Sequence, residues 1–300
     1  MYMKRIQVVI FAAIFIFTAC SLEKETQTLL DTDQLIEDLR VISSDEMEGR
    51  RTGTEGNKKA RQYIVRRFVE EGAKPFKGSF THEFDFISRQ GDEMSGINIV
   101  GEISGQSDST IVITAHYDHL GIRDSLIYNG ADDDASGTAA LIAYIDYFRV
   151  AQPNHTLVFA AFDAEEMGLK GARAFVQDSI FMDKVVMNIN LDMISNNDKN
   201  ELYASGTYHH PELKRVLENI ETGQISLLFG HDRPDQGYDD WTYASDHAAF
   251  HEKEKKFIYF GVEDHEHYHQ HTDDFETIPQ EFYKSSVQVI LNAILAFDEQ

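Results

Sequence analysis

The spacing of hydrophobic and polar positions changes along this chain. Residues 34–42 and 56–71 carry apolar side chains at helical intervals, with Ala60, Tyr63, Ile64 and Phe68 on one face of the second segment. Residues 97–103 and 110–114 read as strands joined by a short polar turn, which predicts an antiparallel edge. Residues 136–148 are apolar nearly all round, as in a buried helix. The continuous apolar runs 156–162 and 185–191 predict strands covered on both faces. A short helix over 169–176, a Pro-initiated helix over 211–220, a strand over 257–262 and an amphipathic helix over 280–297 complete the pattern. Strands alternating with helices predict an α/β fold: a three-layer sandwich with a mixed, mostly parallel central sheet and helices on both faces.

No Pro- or Gly-rich linker divides the chain after Asp33, and one domain over residues 33–300 is expected. Residues 20–32 are polar and aperiodic, as a tether would be. Before them, Lys4 and Arg5 precede an apolar run from Ile6 to Ala19, the pattern of an export signal over residues 1–19. Small residues lead into Cys20, the only cysteine, and resemble a bacterial lipobox. An exported protein held to the cell-envelope membrane through lipidated Cys20 is expected, facing the periplasm or the cell surface. No cysteine then remains for a disulfide.

Charge narrows the partners. The net charge is −24. A surface so acidic repels phosphate backbones, which excludes nucleic acid, and attracts metal ions and free amino groups.

Ligands of open α/β sheets bind beyond the carboxyl ends of the strands. At those exits stand His116-Tyr117-Asp118, Asp163-Ala164-Glu165-Glu166 and Asp192, with a loop holding His265, His267, His269 and His271 after the last strand. Gly130–Gly137 (GADDDASG) leads into the buried helix. Carboxylates packed at one edge repel unless cations lie among them, and histidine with carboxylate suits zinc. A metal pair can share one carboxylate and one water. Adjacent Glu165 and Glu166 point in different directions, so one can hold metal while the other moves protons. Asp132 and Asp134 could cap the buried helix or support the site. Ser245, Asp246 and His247 lack a nucleophile elbow and read as active-site wall.

These residues, together with Glu165–Gly171 (EEMGLKG), Leu191-Asp192-Met193, Ser245-Asp246-His247, Tyr268-His269 and an N-terminal Glu48-Gly49-Arg50, resemble metallopeptidase family 28, which includes the bacterial secreted leucyl-type aminopeptidases. The resemblance implies two zinc ions. His116 and Asp192 would hold one, Glu166 and His269 the other, and Asp133 would bridge them. A one-step shift would exchange His269 for His271. Glu165 would be the general base, and Tyr268 would stabilise the oxyanion. Asp118 would hydrogen-bond His116, and Asp134 and Asp246 would support the ligands from behind. A cis peptide between Asp133 and Asp134 is also implied. Peptides with a free N-terminus are the expected substrates. Glutaminyl cyclase, dipeptidase or carboxypeptidase activity, or a binding protein without catalysis, remain alternatives, and the oligomeric state stays open. Residues 223–244, with Phe229, Tyr238, Trp241 and Tyr243, are candidates for a specificity pocket.

Overall fold

The computed structural model describes residues 30–300. The expected leader, Cys20 and the tether up to residue 29 lie outside them. The tether's last residues are folded: Leu30 is buried in the core, and Asp31 caps the first helix by accepting from the amide of Gln34 at 3.0 Å. The domain therefore starts ahead of Asp33, because the apolar Leu30 is packed rather than solvated. Among the described residues, no helix is long and apolar enough to cross a membrane.

The helices are α1 (Thr32–Ile42), α2 (Glu55–Glu70), α3 (Gly137–Val150), α4 (Lys170–Phe175), α5 (Ser179–Met182), α6 (Pro211–Leu217), α7 (His247–His251) and α8 (Gln280–Asp298). The strands are β1 (Lys74–Pro75), β2 (Thr81–Ile87), β3 (Glu93–Ile103), β4 (Thr110–His116), β5 (Gly121–Arg123), β6 (Leu126–Tyr128), β7 (Thr156–Phe162), β8 (Val185–Leu191), β9 (Glu201–Ser205), β10 (Ser226–Phe229) and β11 (Lys256–Gly261). Nine of them form one sheet, in the order β1-β3-β7-β4-β8-β11-β9-β10 with β2 also on β3, and β5 pairs with β6 as a separate ribbon.

Strand alternation divides the core in two. In β7, Leu157, Phe159 and Ala161 face one layer, while Val158, Ala160 and Phe162 face the other. The first layer holds α1, α2, α3, α6 and α8; the second holds α4, α5 and α7. α3 is apolar all round because it lies between the sheet and α1 and α2. This is the expected three-layer sandwich.

The expected edge needs one correction. β3 does run opposite to β4, but β7 lies between them, pairing antiparallel with β3 and parallel with β4. The turn joining β3 to β4 spans the start of β7, with the amides of Gln106 and Ser107 donating to the carbonyls of Pro153 and Asn154. A Cβ on Gly105 would fall 2.2 Å from the His155 backbone, so only glycine admits this crossing. β3 also begins earlier than expected, since Glu93–Ile99 pairs with β2 as a hairpin.

β7, β4, β8 and β11 run parallel and end on one edge of the sheet. That edge carries the candidate site.

Candidate metal centre

His116 ends β4. Its amide donates to Asp134 Oδ2 at 3.1 Å, and its carbonyl accepts from the Thr138 hydroxyl at 2.9 Å. Asp133 sits in the irregular turn Ala131–Ser136 ahead of α3, where the Asp133–Asp134 peptide is cis. The Asp273 carboxylate holds this turn by accepting from the amides of Asp132 and Asp133 at 2.9 and 3.1 Å. Asp192 follows β8, and its amide donates to the Phe260 carbonyl of β11. Glu165 and Glu166 lie in the turn after β7, closed by the amides of Gly168 and Leu169 on the Glu165 carbonyl.

Two ligand groups result, and they share Asp133. His116, Asp133 and Asp192 form one; His119, Asp133 and Glu166 form the other, each with donor atoms within 4.8 Å of one another. Asp133 turns one oxygen to each group: Oδ1 is 3.2 Å from His116 Nε2, and Oδ2 is 3.1 Å from His269 Nε2. His269 Nε2 is also 3.5 Å from Glu166 Oε1, so its ring lies against the second group. His271 points elsewhere, edge-on to Tyr128.

His119 is missing from the sequence reading. It is fully buried, its Nδ1 lies 2.9 Å from Glu166 Oε1 and 3.7 Å from Asp133 Oδ2, and among the described residues neither ring nitrogen makes a well-aligned hydrogen bond. Buried imidazoles without partners are rare unless a cation takes the lone pair. The available signal was its position three residues beyond His116 on the same strand exit. Gly130, at φ 54°, makes room: a Cβ there would lie 2.5 Å from the His119 ring.

The role expected of Asp118 changes. His116 Nδ1 donates to the Asp118 main-chain carbonyl at 3.0 Å, while the carboxylate stands 3.7 Å away. This leaves Nε2 free to face Asp133 and Asp192. The Asp118 carboxylate instead accepts from the Glu165 amide at 3.0 Å. Asp134 both caps α3, accepting from the Gly137 amide, and braces His116. Asp132 accepts from Ser195 and contacts His265 Nε2 at 2.9 Å. Asp246 is buried behind the first group, and neither of its oxygens has a partner among the described residues. Ser245 accepts from Asn190 Nδ2, and His247 Nε2 pairs with the Trp241 carbonyl, so the three are not linked as a triad. The Tyr268 ring stacks on His269 at 4.0 Å. Of the candidate pocket residues, Trp241 is stacked on His231, Phe229 packs on the core, and Tyr238 and Tyr243 are exposed.

Electrostatics say what the site can hold. Burial, followed by the charges of Asp246, Asp192 and Glu166, raises half-buried Glu165 well above the carboxylate range against the pull of His116. Burial also pushes Asp246 up to about 8, with Asp118 and Asp192 adding to it. Burial would raise Glu166 too, but the imidazoles of His119 and His269 hold it down at about 2. His269 is driven the other way, to about 10: burial opposes its charge, and Asp133 and Glu166 outweigh that opposition. The cluster demands positive charge at its centre, which a divalent cation supplies.

Behind the site, the Arg50 side chain is fully buried. It donates to the carbonyls of Tyr117, Ile42, Asn129 and Gly130, so it ties together the backbone on either side of His116 and Asp133. Burial lowers its pKa to about 10, offset by Asp133, Asp273, Asp134 and Asp118.

A mixed sheet whose parallel strands gather two His/Asp/Glu groups that share one carboxylate defines a candidate two-metal centre. Residues 98–294 match peptidase family M28, and the chain belongs to that family. It is 26% identical over 199 residues to Aminopeptidase YwaD of Bacillus subtilis, an alignment covering 61% of this chain and 40% of that protein. The chain thus spans less than half of that curated relative. Its fold is similar to a zinc aminopeptidase from Bacillus subtilis (TM-score 0.72, 16% identity, 88% of this chain and 95% of that one). It is equally similar to the glutaminyl cyclase of Porphyromonas gingivalis (TM-score 0.73, 14% identity, 89% and 98%).

Proposed function

We propose that this protein is a two-zinc exopeptidase that removes N-terminal residues from peptides, an exported aminopeptidase of the bacterial leucyl type. The observation that carries the reading is Asp133, whose two oxygens serve two separate ligand groups. His116, Asp133 and Asp192 would hold one zinc; Asp133, Glu166, His269 and the added His119 would hold the other. Imidazole and carboxylate donors in this number suit zinc over magnesium or calcium, which take oxygen donors. When bound, the pair would polarise the scissile carbonyl and lower the pKa of the attacking water.

The chain's own residues do the rest. Glu165 is not in either ligand group, and its basicity is raised by burial. It would take the proton from the attacking water and deliver it to the leaving amine. Asp118 fixes the Glu165 turn through the amide. The Tyr268 phenol, in the field of Asp133 and Asp192, would donate to the developing oxyanion. The surrounding carboxylates favour a substrate with a free amino terminus. The name of the Bacillus relative supports the aminopeptidase reading; the fold alone does not separate it from cyclase activity. The leader pattern and Cys20 support export with a lipid anchor at the cell envelope, which a Cys20→Ala chain shifting from the membrane to the soluble fraction would test.

The deciding experiment is mass spectrometry of unblocked peptides, one beginning with Gln, incubated with the zinc-loaded protein. Stepwise loss of N-terminal residues, stopped by a chelator, is expected. Loss of ammonia from the Gln peptide alone would make it a cyclase, and trimming from the other end a carboxypeptidase.

A further inference from the structure

A cavity of about 150 Å³ opens beside the second ligand group. At roughly 30 Å³ per water it holds about five waters, enough for a short side chain or a chain end. His119, Glu166 and Asp118 form its inner wall. Its outer wall carries three arginines, Arg51, Arg89 and Arg123, which come from three separate segments. Arg51 follows the buried Arg50. Arg123 lies on the β5–β6 ribbon, which packs so tightly on Arg51 that a Cβ at Gly121 would fall 2.7 Å from the Arg51 Cβ. Arg89 sits at the turn of the β2–β3 hairpin, its Nη2 reaching 3.9 Å from where a Cβ on Gly168 would be, over the turn that carries Glu165 and Glu166.

None of these three exposed guanidinium groups forms an ion pair among the described residues, so all three are free to meet a ligand at the cavity. The chain's net charge is −24, and the convergence of three arginines from separate segments on one small cavity is a local charge opposite to that of the molecule. A guanidinium binds a carboxylate through two parallel hydrogen bonds, which an amide or an apolar group cannot reproduce.

We infer that this cavity is a subsite for a carboxylate of the substrate, either the free C-terminus of a very short peptide or an acidic side chain near the scissile bond. The inference rests on the peptidase reading. The acidic centre receives the amino end, and the arginine wall receives negative charge on the far side of His119 and Glu166. The two ends of the site then select a zwitterionic peptide in one orientation.

The test compares kcat and KM of the zinc-loaded protein on matched peptides: di- and tripeptides against their C-terminal amides, and Asp or Glu against Asn or Gln at the second position. Loss of a charged hydrogen-bonded pair predicts about tenfold or more in kcat/KM, mostly in KM. A preference for the free C-terminus with none for side chain identifies the chain end; a preference for Asp or Glu that survives amidation identifies the side chain. Either preference should disappear in an Arg51→Gln, Arg89→Gln, Arg123→Gln triple variant while hydrolysis of the neutral amides persists. Equal rates on all pairs, or a preference unchanged in the triple variant, would overturn the subsite. If no peptide is cleaved at all, the peptidase reading fails instead. Calorimetric binding of N-acetylglutamate against its diamide then decides the cavity alone: tighter binding that needs the arginines supports it, and equal or absent binding overturns it.

Discussion

The amide of Glu165 donates to the carboxylate of Asp118 at 3.0 Å, so the aspartate two residues beyond His116 supports the proposed base rather than the histidine. His116 takes its support from the Asp118 main chain, which every residue provides. Asp118→Ala should therefore lower kcat about tenfold to a hundredfold, as other losses of supporting contacts do, while both zinc ions remain bound. Kinetics together with metal analysis check this; zinc lost from the His116 group would contradict it.

Glu165→Gln should lower kcat by at least about a hundredfold, the usual size of a lost general base. Its zinc content should match that of the parent, because Glu165 belongs to neither ligand group. Elemental analysis beside the assay separates the two effects.

His119→Ala should weaken one zinc about tenfold or more and leave the other unchanged, because His119 contacts only the Glu166 side of Asp133. Asp133→Asn should weaken both. Competition with a chromophoric chelator, read without turnover, distinguishes one affected site from two.

Arg50→Met would strand the buried carbonyl oxygens of Tyr117, Ile42 and Asn129, leave Gly130 only the Ala135 amide, and remove a cation from beside four carboxylates. A loss of about 3 kcal/mol or more is expected, given about 1–3 kcal/mol for each orphaned buried group. Urea denaturation checks it. Arg50→Lys should recover only part, since an ammonium cannot reach all four acceptors.

His247 gives the fold an acid limit. Burial lowers its pKa from 6.5 to about 3, opposed by its hydrogen bond to the Trp241 carbonyl. Between those values the unfolded chain binds a proton that the native ring refuses, so stability falls as the pH drops below 6.5 and is unaffected above it. At pH 5.5 the loss is about 1.4 kcal/mol, from RT ln(1 + 10). A His247→Gln variant should lose this part of the slope between pH 7 and 5.5 in denaturant titrations.

Local pattern suffices for part of the structure. The apolar runs 156–162 and 185–191 are strands over those residues, and the helices open and close within a few positions of their periodic segments. His116, Asp133, Glu166, Asp192 and His269 all reach one edge, because strand exits carry whatever residue comes next to the same side of a parallel sheet. The remainder depends on segments distant in the chain. The insertion of β7 between β3 and β4 follows from hydrogen bonds to Pro153 and Asn154, and the short strands β9 and β10 exist only because β11 offers an edge. His119 could not be ranked above the other histidines until Gly130 was seen to admit its ring against Glu166. Asp118 could not be assigned until the turn after β7 brought the Glu165 amide to it across 47 residues of chain. Periodicity records which side of an element is apolar, whereas a hydrogen bond or a shared ligand depends on where two remote backbones meet, and that meeting is set by packing.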